Sequence, residues 1–194
     1  MKGKIVIATH NPGKIKEFLP LLAPLGLEPV SAGELGLPEP EETSDTFPGN
    51  ARIKALAAAR ASGLPALADD SGLSIAALNG APGVLSARFA AGDYAAAFTR
   101  ILAAAEAANE WRAWFTCALC HAQPDGTTAT YIGEAHGRIS APHGTEGFGY
   151  DPIFVPDGYE QSYAGLGAEI KDTISHRARA FAQFAETQKT FQPS

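Results

Sequence analysis

Positive charge is in short supply in this chain. Lysine and arginine number 15 against 21 aspartate and glutamate among 194 residues, a formal net charge of −6 with a pI near 5.3. A nucleic-acid binder would show a basic face, so that class is not expected. An anionic substrate would have to be held by a few placed cations and a metal ion, not by the global field. Long apolar runs are also missing. The longest fall far short of the ~18–20 residues a membrane span needs, so no membrane partner is expected. The start, Met1-Lys2-Gly3-Lys4 before Ile5-Val6-Ile7-Ala8, is basic but carries too short an apolar core for a signal peptide, which makes the cytoplasm the expected compartment. Cysteine is limited to Cys117 and Cys120. Their C-x-x-C spacing lies in a stretch, Trp114–Cys120, that reads as a strand. Residues three apart on a strand point to opposite faces, so two buried free thiols are expected, not a metal or redox pair. Repeats and low-complexity linkers are absent as well.

What is present is an ordinary globular composition, 45% apolar and 19% charged, enough for a core within one domain or two small lobes. Lys4–Ala8 reads as a first strand. A turn at Thr9–Lys14 then feeds a helical pattern with Ile15, Phe18, Leu19 and Leu22 on one side, which Pro20 should kink or end early. Pro29-Val30 is a weak second strand and residues 34–45 form an acidic loop. Thr46 to Ser62 reads as an alanine-rich helix stopped by Gly63. Pro65–Asp69 is a strand, with a turn at Ser71-Gly72 and a further extended run at Leu73–Leu78. Asp93 is placed to cap a helix reaching about Asn109. Arg112–Ala122 and Thr127–Ile139 flank the turn Gln123-Pro124-Asp125-Gly126 as a long hairpin. A glycine-rich loop at Gly144–Gly149 and a last helix from about Ser175 to Gln188 complete the pattern. Helices interleaved with strands, plus one long hairpin, imply an α/β fold with a mixed sheet.

Five stretches carry chemistry. Asp69-Asp70 would sit at the rim of a sheet, where open α/β folds place their sites. Carboxylate oxygens suit Mg²⁺, which keeps other positions for water and substrate phosphates. The plain alternative is a strand-end turn whose acids face solvent. Adjacent strand residues face opposite ways, so the two acids should not serve one metal equally. Thr9-His10-Asn11-Pro12-Gly13-Lys14 lies between a strand and a helix, where unpaired N–H groups and the helix dipole favour anions. It lacks the G-x-x-x-x-G-K-[ST] spacing of a phosphate loop, and a turn with an exposed lysine is the alternative. Glu41-Glu42-Thr43 precedes Asn50 and Lys54, which share a helix face and could hold a polyphosphate. Gly147-Phe148-Gly149-Tyr150-Asp151 offers a ring between two glycines, suited to stacking on a planar base. Lys171 and Ser175-His176-Arg177 supply donors for a base carbonyl or a phosphate.

Together and in this order, Thr9–Lys14, Glu41-Glu42-Thr43, Thr46-Phe47 with Asn50 and Lys54, Ala68–Leu73, Gly80–Arg88, Gly147–Phe154 and Ser175-His176-Arg177 resemble the Ham1-like family of pyrophosphatases for non-standard purine nucleoside triphosphates. The resemblance spans nearly the whole chain and implies one domain over residues 1–194. The implied fold is elongated α/β with two lobes around a central active-site cleft, acting as a homodimer. It also implies Mg²⁺-dependent hydrolysis of ITP, dITP and XTP to the monophosphate and pyrophosphate. Position by position, Asp70 would be the general base and a metal-associated carboxylate, with Glu41 the second metal-associated acid. Thr9, His10, Asn11, Pro12, Gly13, Lys14, Asn50 and Lys54 would meet the triphosphate, and Ser71 the substrate. Phe148 would stack on the base, with Gly149, Tyr150, Asp151, Lys171, His176 and Arg177 around it. A Maf-like pyrophosphatase acting on other nucleotides and a non-catalytic nucleotide-binding module are the alternatives. The GFGYD and SHR motifs oppose the first, and Asp70, Lys14 and Lys54 together oppose the second. Pro48-Gly49, just ahead of Asn50, depart from good helix formers and leave the aim of Asn50 open.

Overall fold

The computed structural model describes residues 3–190; Met1 and Lys2 of the basic start lie outside the described residues. Six strands form one sheet in the order β2-β1-β3-β4-β5-β6. They are β1 (Lys4–Ile7), β2 (Glu28–Ser31), β3 (Ala66–Ile75), β4 (Arg112–Ala122), β5 (Thr128–Ile139) and β6 (Phe154–Pro156). β1 pairs parallel with β2 and with β3, whereas β5 pairs antiparallel with β6. The sheet is therefore mixed, as the alternation of helices with one hairpin implied. The helices are α1 (Pro12–Leu22), α2 (Phe47–Ser62), α3 (Ser86–Ala90), α4 (Tyr94–Ala108), α5 (Tyr163–Leu166), α6 (Ala168–Ile174) and α7 (His176–Thr190). None of the described helices is long and apolar enough to cross a membrane.

The chain divides into two compact units. The first takes its described residues from Met1–Asp70, Cys117–Gly133 and Arg177–Ser194, and the second comprises Ser71–Thr116 and Glu134–His176. In the first unit the two-residue period of β1 sorts side chains into two cores. Ile5 and Ile7 join Leu67, Cys117 and Leu119 against Phe18 and Leu22 of α1 and Phe181 and Phe184 of α7. Val6 and Ala8 join Ala66, Ala68, Ala118 and Cys120 against the alanine face of α2. Small side chains on both partners let α2 lie close to the strands. Cys117 and Cys120 thus sit in different cores, both buried and neither in a disulfide, as a strand period of two requires.

Local signals explain several of the helix ends. The Thr46 hydroxyl accepts from the Gly49 N–H at 3.2 Å to start α2, and Gly63, with a φ of +68°, ends it. Asp93 caps α4 through the Ala96 N–H at 3.0 Å. Asn11 caps α1, its side-chain oxygen accepting from the N–H groups of Gly13 at 2.9 Å and Lys14 at 3.4 Å. Pro20 has no N–H to donate back along α1, and the helix ends two residues later at Leu22, where the chain tightens into a 3₁₀ turn, Ala23–Leu25. Leu19, expected on the apolar side, is 45% exposed, and the buried stripe of α1 is Phe18 and Leu22.

The structure corrects one expectation near the acids. No turn follows Asp70: β3 runs unbroken from Ala66 to Ile75 and then enters a 3₁₀ turn at Ala76–Leu78. Asp69 and Asp70 are therefore interior strand residues, 1% and 6% exposed, not rim residues facing water. Serine and glycine favour turns only as a propensity, and here burial on either side wins. Leu73 and Ile75 enter the core of the second unit with Ile101, Phe115 and Phe154, each fully buried aliphatic contributing about 1.5–3 kcal/mol.

Candidate active site

Because β3 is extended through the acid pair, the two carboxylates leave it on opposite faces. Asp69 turns toward α1 and α7. Its Oδ2 lies 3.0 Å from Lys14 Nζ and accepts from Arg177 Nη2 at 3.0 Å. Glu17, one helical turn after Lys14, accepts from the other arm of the same guanidinium. Burial pulls Arg177 down to about 10, which still leaves it charged at neutral pH. Lys14 and Arg177, both expected to meet substrate, are thus aimed by Asp69. The sequence left Asp69 as a supporting residue and gave no sign of Glu17; its spacing three residues after Lys14 on a helix was the available clue.

Asp70 turns toward α2. Its Oδ2 accepts from Asn50 Nδ2 at 3.1 Å. Lys54, four residues along α2, is buried and bonds Glu42 Oε1 at 2.5 Å. Burial raises the Asp70 carboxyl above its ordinary value, and Glu42 pushes it the same way, while Lys54, Asn50 and Lys14 oppose the rise. Burial alone would lower Lys54, but Asp69, Glu42 and Asp70 outweigh it and hold the ammonium above its usual range. A buried carboxylate whose proton affinity is raised by burial, beside a charged lysine, suits a group that must take up a proton.

The remaining residues of the first unit fall nearby in sequence but differ in role. The Thr9 hydroxyl accepts from the Asn11 N–H at 3.2 Å, shaping the turn ahead of Pro12 and Gly13. His10 Nε2 lies 3.1 Å from the Leu37 carbonyl oxygen, and its Nδ1 is 3.7 Å from Glu39, so the ring faces the acidic loop. Glu41 is exposed. Its neighbour Glu42 is the loop acid that reaches Lys54. Among the described residues no three His, Cys, Asp or Glu side chains form a metal-holding group by themselves. A pair of hard oxygen donors on a buried carboxylate and a nearby loop fits an ion that takes one or two carboxylates and completes its shell elsewhere.

The second unit holds a separate cluster. Asp151, 2% exposed, accepts from the Phe148 N–H at 2.8 Å and from Lys171 Nζ at 2.6 Å. Lys171 Nζ also lies 4.8 Å above the centre of the half-buried Phe148 ring. Asp151 therefore orients the aromatic ring and the cation. Gly147, with a φ of +77°, lets the loop pass the Asp151 carboxylate, which any Cβ there would overlap. Gly147→Ala is expected to cost about 1–3 kcal/mol, read as a fall in Tm of the whole protein. Gly149 also has positive φ, +64°. The Tyr150 hydroxyl donates to the Ser86 carbonyl oxygen at 2.7 Å, and burial pushes its pKa to about 12. His176 is buried and stacks on Phe115 with ring centres 4.7 Å apart. Ser71 opens the second unit, half-buried and next to Asp70 in the chain.

The sequence model of the Ham1 family matches residues 5–187, almost the whole chain. The chain belongs to the Ham1 family. A relative from Gluconobacter oxydans, named dITP/XTP pyrophosphatase, is 52% identical over 188 residues, covering 95% of this chain and 90% of its own. One of the same name from Rhodospirillum centenum is 54% identical over 185 residues, covering 92% of this chain and 91% of its own. The solved structure of a Ham1 protein from Coxiella burnetii is 39% identical, with a TM-score of 0.88 over 97% of this chain and 99% of that one. Ham1 membership thus extends across both units and includes both clusters.

Proposed function

We propose that this Ham1 protein hydrolyses deaminated purine nucleoside triphosphates (ITP, dITP and XTP) to the monophosphate and pyrophosphate, with Mg²⁺. The relatives' activity supports the substrate class. The observation that carries the chemistry is the buried Asp70 carboxylate, held beside Asn50, Lys54 and Glu42. In this reading a water oxygen bonds to the α-phosphorus, the bond from that phosphorus to the β-phosphate bridging oxygen breaks, and Asp70 takes the water's proton. The pair of electrons from the broken bond leaves with pyrophosphate. Mg²⁺, with Asp70 and the loop acids Glu41 or Glu42, would supply charge neutralisation for the phosphates. Lys14, Lys54 and the turn at Thr9–Gly13 would hold the triphosphate, which an acidic protein otherwise repels.

The second-unit cluster is assigned to the base, with Ser71 on the substrate. Phe148 offers a stacking face, and Lys171 and His176 bring donors for a 6-oxo group. Gly149 and Tyr150 shape the loop, and Asp151 holds it. A 6-amino group would leave buried donors unpaired, which makes the discrimination steep. The family resemblance also supports one domain over 1–194, a homodimer and a cytoplasmic setting. A panel of triphosphates with pyrophosphate detection tests the reading. Purified protein with Mg²⁺ is expected to release pyrophosphate from ITP, dITP or XTP far faster than from ATP or GTP. Equal rates on ATP, or orthophosphate as sole product, would overturn it.

A further inference from the structure

Asn50 is an unusual residue to bury near the start of an alanine-rich helix. It is 3% exposed, is a weak helix former and carries two polar groups that must be satisfied. Both are engaged inside the protein. Its Oδ1 accepts from the Ser44 N–H at 2.9 Å, and its Nδ2 donates to Asp70 Oδ2 at 3.1 Å. The orientation of the amide is not ambiguous, because a backbone N–H can only donate and a carboxylate accepts. The backbone of Asn50 is fixed too, since its N–H makes a helical bond to the Thr46 carbonyl oxygen at 3.1 Å.

The residues just before it make this geometry possible. A Cβ on Gly49 would overlap the Ser44 side chain, so only glycine there admits Ser44 against the first turn of α2. The Ser44 hydroxyl in turn lies 3.1 Å from Thr46 Oγ1 and accepts from the Thr46 N–H at 3.2 Å. Pro48 occupies the first turn of the helix, where its missing N–H costs little. The Pro48-Gly49 pair, which looked like a weak helix start, is what brings the loop to Asn50.

We propose that Asn50 is a positioning residue, its single amide fixing the Asp70 carboxylate and the loop that bears Glu41 and Glu42 in one arrangement, and that it is not a ligand of the triphosphate. Ser44 lies two residues after Glu42, so the acid on β3 and the acids on the loop share one anchor. The inference rests on Asp70 being the base.

Three variants separate the roles. Asn50→Asp keeps the shape and the acceptor for Ser44 but loses the donor to Asp70. Asn50→Ala loses both, and Gly49→Ala displaces Ser44 while leaving Asn50 in place. With ITP and Mg²⁺, both Asn50 variants are expected to lose about 10-fold or more in kcat with KM within about 2-fold. Gly49→Ala should lower kcat in the same way. In metal-free, substrate-free protein, NMR should find the Asn50 side-chain amide protected from solvent exchange, and that protection should disappear in Asp70→Ala. A rise in KM at unchanged kcat, wild-type kcat in Asn50→Asp, or a freely exchanging Asn50 amide would overturn the proposal. If wild type releases no pyrophosphate from ITP, the functional reading fails, while the NMR result still decides whether Asn50 fixes Asp70.

Discussion

Asp70→Asn is expected to slow pyrophosphate release from ITP by about 10²–10⁴-fold, the usual contribution of a positioned general base. An asparagine at this position can still accept from Asn50, so the local packing survives. Affinity for the nucleotide should largely persist, because Lys14, Lys54 and the turn at Thr9–Gly13 are untouched. Substantial turnover by the variant would remove Asp70 from its assigned role.

The same substitution should make the substrate-free protein more stable. Burial raises the Asp70 carboxyl in the folded state above its ordinary value of 3.8. Through that window the native state binds more protons than the unfolded chain, so stability falls as pH rises and stays lower above it. Asparagine has no such penalty. A higher Tm than wild type at neutral pH is expected, with the difference shrinking as the pH is lowered. Loss of activity together with gain of stability would mark a residue kept for chemistry.

Asp69→Ala should do the reverse. The side chain is buried and carries both Lys14 and Arg177 on one oxygen. Removing it leaves cations without their shared anion, which costs about 3 kcal/mol, near the low end for a buried pair because Glu17 still accepts from Arg177. Thermal melting should fall by roughly 6–12 °C, and Asp69→Asn should lie between. A melting point unchanged by Asp69→Ala would mean that Asp69 is not what holds Lys14 and Arg177.

Much of this architecture could be read from local signals. Thr46 and Gly63 bound α2, and Asp93 and Asn109 bound α4, because capping chemistry is confined to a few adjacent residues. The divergence of Cys117 and Cys120 followed from strand geometry alone. The turn expected at Ser71-Gly72 is absent for the complementary reason. Whether such a pair turns depends on what packs on either side, and those partners, Ile101 and Phe154 among them, are distant in sequence. The partners that Asp69 supports are not legible locally, because Arg177 lies 108 residues on. The helical spacing to Lys54 points Asn50 at a phosphate and gives no sign of its partners within the protein. Those partners, Ser44 and Asp70, depend on a close approach that Gly49 permits and that no periodicity reveals.

The central claim is that water attacks the α-phosphorus of a deaminated purine triphosphate. Turnover of ITP in ¹⁸O-labelled water, with mass analysis of both products, tests it most directly. The label is expected in the inosine monophosphate and absent from the pyrophosphate. Label in the pyrophosphate, or release of labelled orthophosphate, would contradict the account.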